Sequence, residues 1–244
     1  MRRAPYGQPG YYRSYALHVA ACIAAQMSSS AGSTTSPLLD GLVAYWTLNE
    51  ASGTRFDSVG SNDLTDNGGV GSAPGVQGNA ASFDTTTGQY LQSPAITTIG
   101  LAWTLAFWIQ PQDTTTQMTI MDSVDGLAPR LFIERTPENR LRVVLPGGNQ
   151  TGTTAIGTTW RHLCFVSDGT SLRVLIDTTE EFTIASTADN AGFENGATFG
   201  ELVINNTRQF IGDIDEVGIW SRVLTSGEIS DLYNGGAGIT YPFV

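Results

Sequence analysis

The chain has 244 residues, 41% of them hydrophobic and 14% charged, and this balance excludes an intrinsically disordered protein. Its 28 glycines, together with few long amphipathic stretches, predict an all-β fold of short strands joined by turns. The net charge of −11 is unevenly distributed, because residues 1–39 carry three arginines and no acid. Residues 40–244 therefore hold nine arginines against 23 carboxylates, which excludes nucleic acid as a partner.

Residues 1–39 form a region of their own. A basic stretch rich in Pro and Gly precedes residues 11–27, which are mostly alanine and aliphatic, and a linker at 28–37 follows. We interpret this region as a basic N-terminal arm with a short helix, which docks the domain into a larger assembly or a homo-oligomer. The alternative is a secretory signal peptide with residues 16–25 as its apolar core. That core is too short to span a membrane.

From residue 40 onward, about a dozen short apolar or alternating runs predict the strands of a two-sheet sandwich or barrel. All five tryptophans fall within these runs, so we expect them in the core. Near the C-terminus, Thr225 and Glu228 have the spacing of a capping box, and Ile229 and Leu232 give one apolar stripe. They predict one short helix, followed by a short tail. The predicted strands are 42–48, 80–84, 90–93, 103–109, 118–121, 130–134, 140–145, 160–167, 172–177, 181–184, 201–204 and 212–220.

Several of these runs form a familiar order of motifs. They are Ala44-Tyr45-Trp46, Asp57-Ser58, the stretches 78–84 and 103–109, Trp160-Arg161-His162 and the stretch 211–217. On these motifs, residues 40–235 resemble the laminin-G-like group of the concanavalin A-like lectin/glucanase superfamily. The resemblance implies a jelly roll of two curved antiparallel sheets. It does not fix a function, because lectins, adhesion modules and glycosidases share this sandwich.

The stretch 212–220 contains three carboxylates in four positions, Asp213, Asp215 and Glu216. Strict alternation along a strand places the two aspartates on one face and Glu216 on the other. In the similar domains a structural calcium commonly joins the first loop to the last strand. The resemblance therefore implies Asp57 and Asp215 as side-chain ligands of a structural Ca²⁺. The alternative is that Asp57 caps its own loop and that Asp213 and Glu216 are solvated.

The sequence offers little for catalysis. Glycosidases with this sandwich pair their carboxylates on one mid-chain strand, whereas the mid-chain strands here carry isolated acids such as Glu134. His162 and Cys164 lie in a strand, where we expect them to be packing residues. We therefore predict that the protein is not an enzyme.

The predicted function is that of a lectin-like recognition or adhesion module that binds glycans or protein surfaces. No ligand-binding residue can be named, and the loops at 122–129 and 147–159 are candidates by exposure. With the N-terminal arm, this predicts a surface-exposed subunit of a larger particle, such as a phage decoration or fibre protein. The predicted location is thus a virion surface or the extracellular space. The alternative is a secreted glycosidase of the same superfamily.

Overall fold

The computed structural model describes residues 36–85, 88–113, 115–123, 131–146, 148–185, 192–201 and 208–243. The chain divides into two compact units, Met1–Ser36 and Pro37–Val244. The predicted arm and its helix lie outside the described residues, apart from a 3-10 turn at Pro37–Leu39. Among the described residues, no helix is long and apolar enough to cross a membrane.

The second unit is built from antiparallel strands. In the described part of the chain they are Leu42–Trp46 (β1), Thr65–Asn67 (β2), Gly71–Pro74 (β3), Asn79–Phe83 (β4), Tyr90–Gln92 (β5), Ala102–Pro111 (β6), Met118–Ser123 (β7), Phe132–Arg135 (β8), Arg140–Leu145 (β9), Gly148–Ala155 (β10), Arg161–Asp168 (β11), Ser171–Ile176 (β12), Thr179–Ala185 (β13), Ala197–Phe199 (β14) and Gly212–Trp220 (β15). One helix, Ser226–Tyr233 (α1), follows the last strand.

The described strands form two sheets. The eight-stranded sheet has the order β13-β12-β11-β6-β15-β4-β3, with β1 also paired to β15. The seven-stranded sheet has the order β10-β9-β8-β7-β14-β5-β2. Two antiparallel sheets and one short C-terminal helix confirm the predicted jelly-roll sandwich.

The main core lies between the two sheets, where side chains of alternate strand positions meet. Trp46 contacts Phe199, and Phe199 in turn contacts Phe107, with ring centroids 6.1–6.4 Å apart. Trp103 packs edge-on against Phe193. Each aromatic side chain buried in this way stabilises the fold by roughly 1.5–3 kcal/mol relative to an exposed one. This layer fixes the two sheets against each other and leaves each with one outer face.

The C-terminus covers the outer face of the eight-stranded sheet around β1, β6, β11 and β15. Ile229 and Leu232 of α1 join a second apolar cluster with Tyr45, Trp220 and Phe243. The predicted capping box is confirmed, because the Glu228 N–H donates to Thr225 Oγ1 and the Thr225 N–H donates to Glu228 Oε2. Strand β6 is therefore buried on both faces, as its apolar sequence predicts.

Several predicted elements differ from the structure. Trp160 lies just before β11 and is only half-buried, whereas the other four tryptophans are buried. The predicted loop at 147–159 contains strand β10, a polar edge strand that its Thr, Gly and Asn residues conceal. Most of the predicted loop at 122–129 and of the predicted strand at 201–204 lies outside the described residues.

Candidate functional site

The outer face of the seven-stranded sheet presents one continuous row of side chains. The row crosses all seven strands, because each member is the register partner of the next. Its central members are shielded from solvent, with Asp122 2% and Thr198 0% exposed, while both ends of the row are open. This row, which we call the transverse row, consists of Asn149, Val144, Phe132, Asp122, Thr198, Gln92 and Thr65.

A buried carboxylate lies beside the transverse row. Glu134 is 0% exposed, and it is the register partner of Arg142 on β9 and Thr119 on β7. Its Oε1 accepts a hydrogen bond from Arg142 Nη1 at 2.8 Å, and its Oε2 accepts from Arg208 Nη1 at 2.9 Å. Gln117 Nε2 also donates to Oε2, at 2.7 Å. These partners compensate the buried charge.

The contacts of Glu134 occupy both of its oxygens. Oε1 pairs with the guanidinium group of Arg142, and Oε2 pairs with that of Arg208. Asp122 lies on the same outer face, in the neighbouring row. The sequence showed Glu134 only as an isolated acid. The missed signal is that Glu134 and Arg142 carry opposite charges on two successive short strands, where they are register partners.

The first predicted metal ligand, Asp57, organises its own loop. Its Oδ1 accepts hydrogen bonds from the backbone N–H groups of Tyr45 and Val59, at 3.1 and 3.0 Å. Its Oδ2 accepts from the backbone and the side-chain amide of Asn62, both at 3.0 Å. These contacts fit the alternative interpretation, in which Asp57 caps the loop between β1 and β2.

The second predicted metal ligand, Asp215, holds the turn between β3 and β4. Its Oδ2 accepts from the backbone N–H groups of Val76 and Gln77, at 2.7 and 3.1 Å, and its Oδ1 accepts from the Glu216 N–H. Burial raises the pKa of Asp215 to about 7, against the effect of these donors.

Calcium would need six to eight oxygen ligands. Asp57 and Asp215 direct their oxygens at the N–H groups of two different segments. Within the described part of the chain, no group of three or more His, Cys, Asp or Glu side chains is arranged to hold a metal. Calcium binding stays a prediction.

A β-bulge in β15 overturns the predicted separation of Glu216 from the aspartates. Asp215 is the partner of Trp108 and Gly218 of Ala106, so β15 has one more residue than β6 between these two pairs. Glu216 adopts a φ of 49° there. The extra residue resets the alternation, so Glu216 and Asp215 both face away from the main core.

Glu216 is therefore held beneath the C-terminal tail rather than solvated. Its Oε2 accepts a hydrogen bond of 2.6 Å from the Tyr45 hydroxyl. Burial, together with the charge of Asp215, raises the pKa of Glu216 to about 8, against the effect of the hydrogen bond from Tyr45. Because Asp213 and Glu216 are each only 4% exposed, the expectation that they are solvated is wrong.

His162 and Cys164 are packing residues, as predicted. The His162 ring lies against Trp108 and Tyr233, with centroids 5.0 and 6.2 Å away. Burial lowers the pKa of His162 to about 4 and raises that of the Cys164 thiol to about 12. Neither group is suited to act as a base or nucleophile near neutral pH.

Comparison with known proteins bears on the fold. A model described as the concanavalin A-like lectin/glucanases superfamily matches residues 84–230. Comparison with curated protein sequences gave no match. Among solved structures, one similar chain is domain 4 of AbnA, a GH43 extracellular arabinanase from Geobacillus stearothermophilus, in complex with arabinotriose. The identity is 22% and the TM-score 0.61, over 78% of this chain and 97% of that domain.

Toxin binding domains are also similar. The binding domain of Paraclostridial Mosquitocidal Protein 1 is 16% identical with a TM-score of 0.64, over 81% of this chain and 52% of that one. The binding domain of Botulinum neurotoxin DC, in complex with rat synaptotagmin II, is 15% identical with a TM-score of 0.63, over 80% and 52%. The chain thus spans about half the length of these toxin domains. Identities this low show a shared fold.

Proposed function

Because the chain belongs to the concanavalin A-like lectin/glucanases superfamily, we propose that it is a non-enzymatic recognition module that binds a glycan across its seven-stranded sheet. The similar structures include a domain in complex with arabinotriose and a toxin binding domain in complex with a protein, synaptotagmin II. A protein surface is therefore the second class of ligand that the same face could take.

The transverse row is the observation that carries this proposal. Seven strands at a spacing of roughly 4.8 Å set the two open ends of the row about 29 Å apart. At these ends Asn149, Gln92 and Thr65 present amide and hydroxyl groups, while Phe132, Asp122 and Thr198 lie shielded between them. Placed polar groups of this kind fix the orientation of a bound ligand.

A glycan array with neutral and acidic oligosaccharides tests the proposal. Asn149→Ala removes a polar group from one end of the transverse row, and Gln92→Ala removes one next to the other end. We expect each to weaken binding roughly fivefold, as for the loss of a neutral hydrogen bond of about 1 kcal/mol. Thr183→Ala is the matched control, because Thr183 is exposed on β13 of the other sheet. No signal on the array, or equal losses in the control, would reject the proposal.

The competing function is a secreted glycosidase. The presence of Asp122 and Glu134 on one outer face is the observation that favours it. A reducing-sugar assay on β-glucans, with Glu134→Gln and Asp215→Asn variants, separates the two functions. We expect no sugar release by any of the three proteins. Activity that Glu134→Gln abolishes and Asp215→Asn retains would identify an enzyme instead.

The N-terminal region supports a second proposal, about the assembly and location of the protein. We propose that residues 1–39 are an assembly arm and that the protein is a surface subunit of a larger particle, such as a phage decoration or fibre protein, at a virion surface or in the extracellular space. Mass spectrometry of the mature protein tests this directly. An intact N-terminus is expected, whereas loss of residues 1–30 or so would establish a cleaved secretory signal.

A structural calcium ion is proposed on the family resemblance alone. If Asp215 binds the ion, a free calcium concentration of about 100 times the Kd should stabilise the native state by about 2.7 kcal/mol. Asp215→Asn should abolish that gain. Thermal unfolding in calcium and in EDTA measures the difference. Identical transition temperatures in both buffers would reject the ion and leave Asp215 as a turn anchor.

A further inference from the structure

Arginine is scarce in this acidic domain, and a third of the arginines lie beside the transverse row. Residues 40–244 hold nine arginines against 23 carboxylates. Three of those nine, Arg140, Arg142 and Arg208, lie at or beside the outer face of the seven-stranded sheet. A domain of net charge −14 repels anions in general, so a local excess of cations on one face distinguishes that face from the rest of the surface.

Glu134 fixes two of these guanidinium groups in place. It accepts from Arg142 Nη1 on one oxygen and from Arg208 Nη1 on the other, at 2.8 and 2.9 Å. The carboxylate is fully buried, while the two arginine side chains are 35% and 39% exposed. Within this group of three side chains, two positive charges against one negative charge leave one positive charge in excess at the edge of solvent, while Asp122 in the neighbouring row is only 2% exposed.

The two guanidinium groups keep donors available. Each guanidinium has five N–H groups, and the contact with Glu134 uses Nη1 alone. In the described segments, neither group makes another hydrogen bond, although Arg208 also lies 6.0 Å above the Phe132 ring. Their remaining N–H groups are the planar, charged donors that pair with carboxylate or sulfate groups at two points.

We propose that Arg142 and Arg208, positioned by Glu134, form a clamp for an anionic group of the glycan that lies along the transverse row. This inference rests on the proposed function and narrows it to acidic glycans, those bearing carboxylate or sulfate groups. Glu134 is a positioning residue, since it orients both guanidinium groups and does not face the anion itself. The excess charge of the clamp is neutralised when the anion binds.

Three polymers with one backbone test the clamp. Neutral dextran, carboxymethyl-dextran and dextran sulfate are immobilised, and binding of the full chain is measured by biolayer interferometry at two salt concentrations. We expect at least one anionic polymer to bind about tenfold or more tightly than dextran, because a hydrogen bond to a charged group contributes about 1.5–3 kcal/mol. The carboxymethyl and sulfate arms identify which anion the clamp prefers.

Single variants locate the effect. Arg142→Gln and Arg208→Gln should each weaken anionic binding about tenfold, and each leaves Glu134 one arginine and Gln117 as partners. Arg173→Gln is the matched control, since Arg173 is 40% exposed and also paired to a glutamate, on the other sheet. A second control replaces Arg2, Arg3 and Arg13 with Gln and removes polyanion binding by the basic N-terminal region. Unfolding temperatures verify that every variant is folded.

The outcomes separate this inference from the proposed function. Equal binding to all three polymers, or equal losses in the Arg142 and Arg173 variants, overturns the clamp. Binding lost only when the N-terminal arginines are replaced overturns it as well. A neutral glycan that binds on the array and loses affinity in Asn149→Ala rejects the clamp while the proposed function stands. If neither neutral nor acidic glycans bind, both fail.

Discussion

The conformation of one residue, Glu216, determines on which side of β15 its carboxylate lies. The bulge at this position turns its carboxylate to the side of Asp215, beneath the C-terminal tail and against Tyr45. Two buried carboxylates side by side are costly to ionise, because each loses hydration and repels the other. Gly218 leaves room for the side chains packed beside it, since a Cβ there would come within 3 Å of Trp220 and Tyr45.

This pair should make the fold less stable as pH rises. Burial raises the pKa of Asp215 to about 7 and that of Glu216 to about 8, whereas both groups titrate near 4 in an unfolded chain. The native state therefore binds more protons than the unfolded state between about pH 4 and 8. As the pH rises through that window, the contribution of the two carboxyl groups to the free energy of unfolding falls.

We expect Glu216→Gln to lose less stability than the wild type between pH 5 and 8, since the amide cannot ionise. Urea unfolding in EDTA at several pH values measures the two slopes. Asp231→Asn, an exposed position on α1, is the control and should follow the wild-type slope. Parallel curves for Glu216→Gln and the wild type would show that the carboxylate does not titrate in this window.

Among the elements, the predictions succeeded where burial alone determines a strand. The apolar sequences of β6 and β11 indicate their structure directly, and so does the capping box of α1. Strands β2, β3 and β14 were missed because they are three or four residues long and largely polar or small. They are strands because of the neighbours with which they pair, and pairing is not visible in local sequence.

The candidate site also depends on strand pairing, which the local sequence does not show. Glu134 and Arg142 are eight residues apart on two strands, and their contact depends on the β8–β9 register. Arg208 reaches the same carboxylate from 74 residues away. No spacing rule indicates such a group. The bulge at Glu216 was hidden for a similar reason, because the alternation it breaks is the rule used to interpret the strand.

The loop between β1 and β2 provides an element-scale prediction. Asp57 accepts hydrogen bonds from three backbone N–H groups and one side-chain amide. Asp57→Ala should lower the free energy of unfolding by about 2–4 kcal/mol, because it leaves these donors without partners in a shielded site. Chemical denaturation measures this loss. Asp63→Ala, which removes the single acceptor of the Asp57 N–H, should lose less. A loss below that of Asp63→Ala would show that Asp57 does not organise the loop.

At the scale of the whole molecule, the second unit has its own core between two sheets. We therefore expect a protein of residues 37–244 to unfold at the temperature of the full chain, within about 2 °C, as measured by calorimetry. A large drop on removal of residues 1–36 would show that these residues contribute to the stability of the sandwich. Light scattering of both proteins shows whether the same residues drive self-association.

The two sheets differ in what they offer to a ligand. Helix α1 and the tail cover the eight-stranded sheet around β1, β6, β11 and β15, whereas the seven-stranded sheet keeps its transverse row. On the proposed function, a ligand binds only to the seven-stranded sheet, and each molecule then has a valency of one. On a surface that displays many copies, the strength of attachment would then grow with the number and spacing of copies rather than with the affinity of any one.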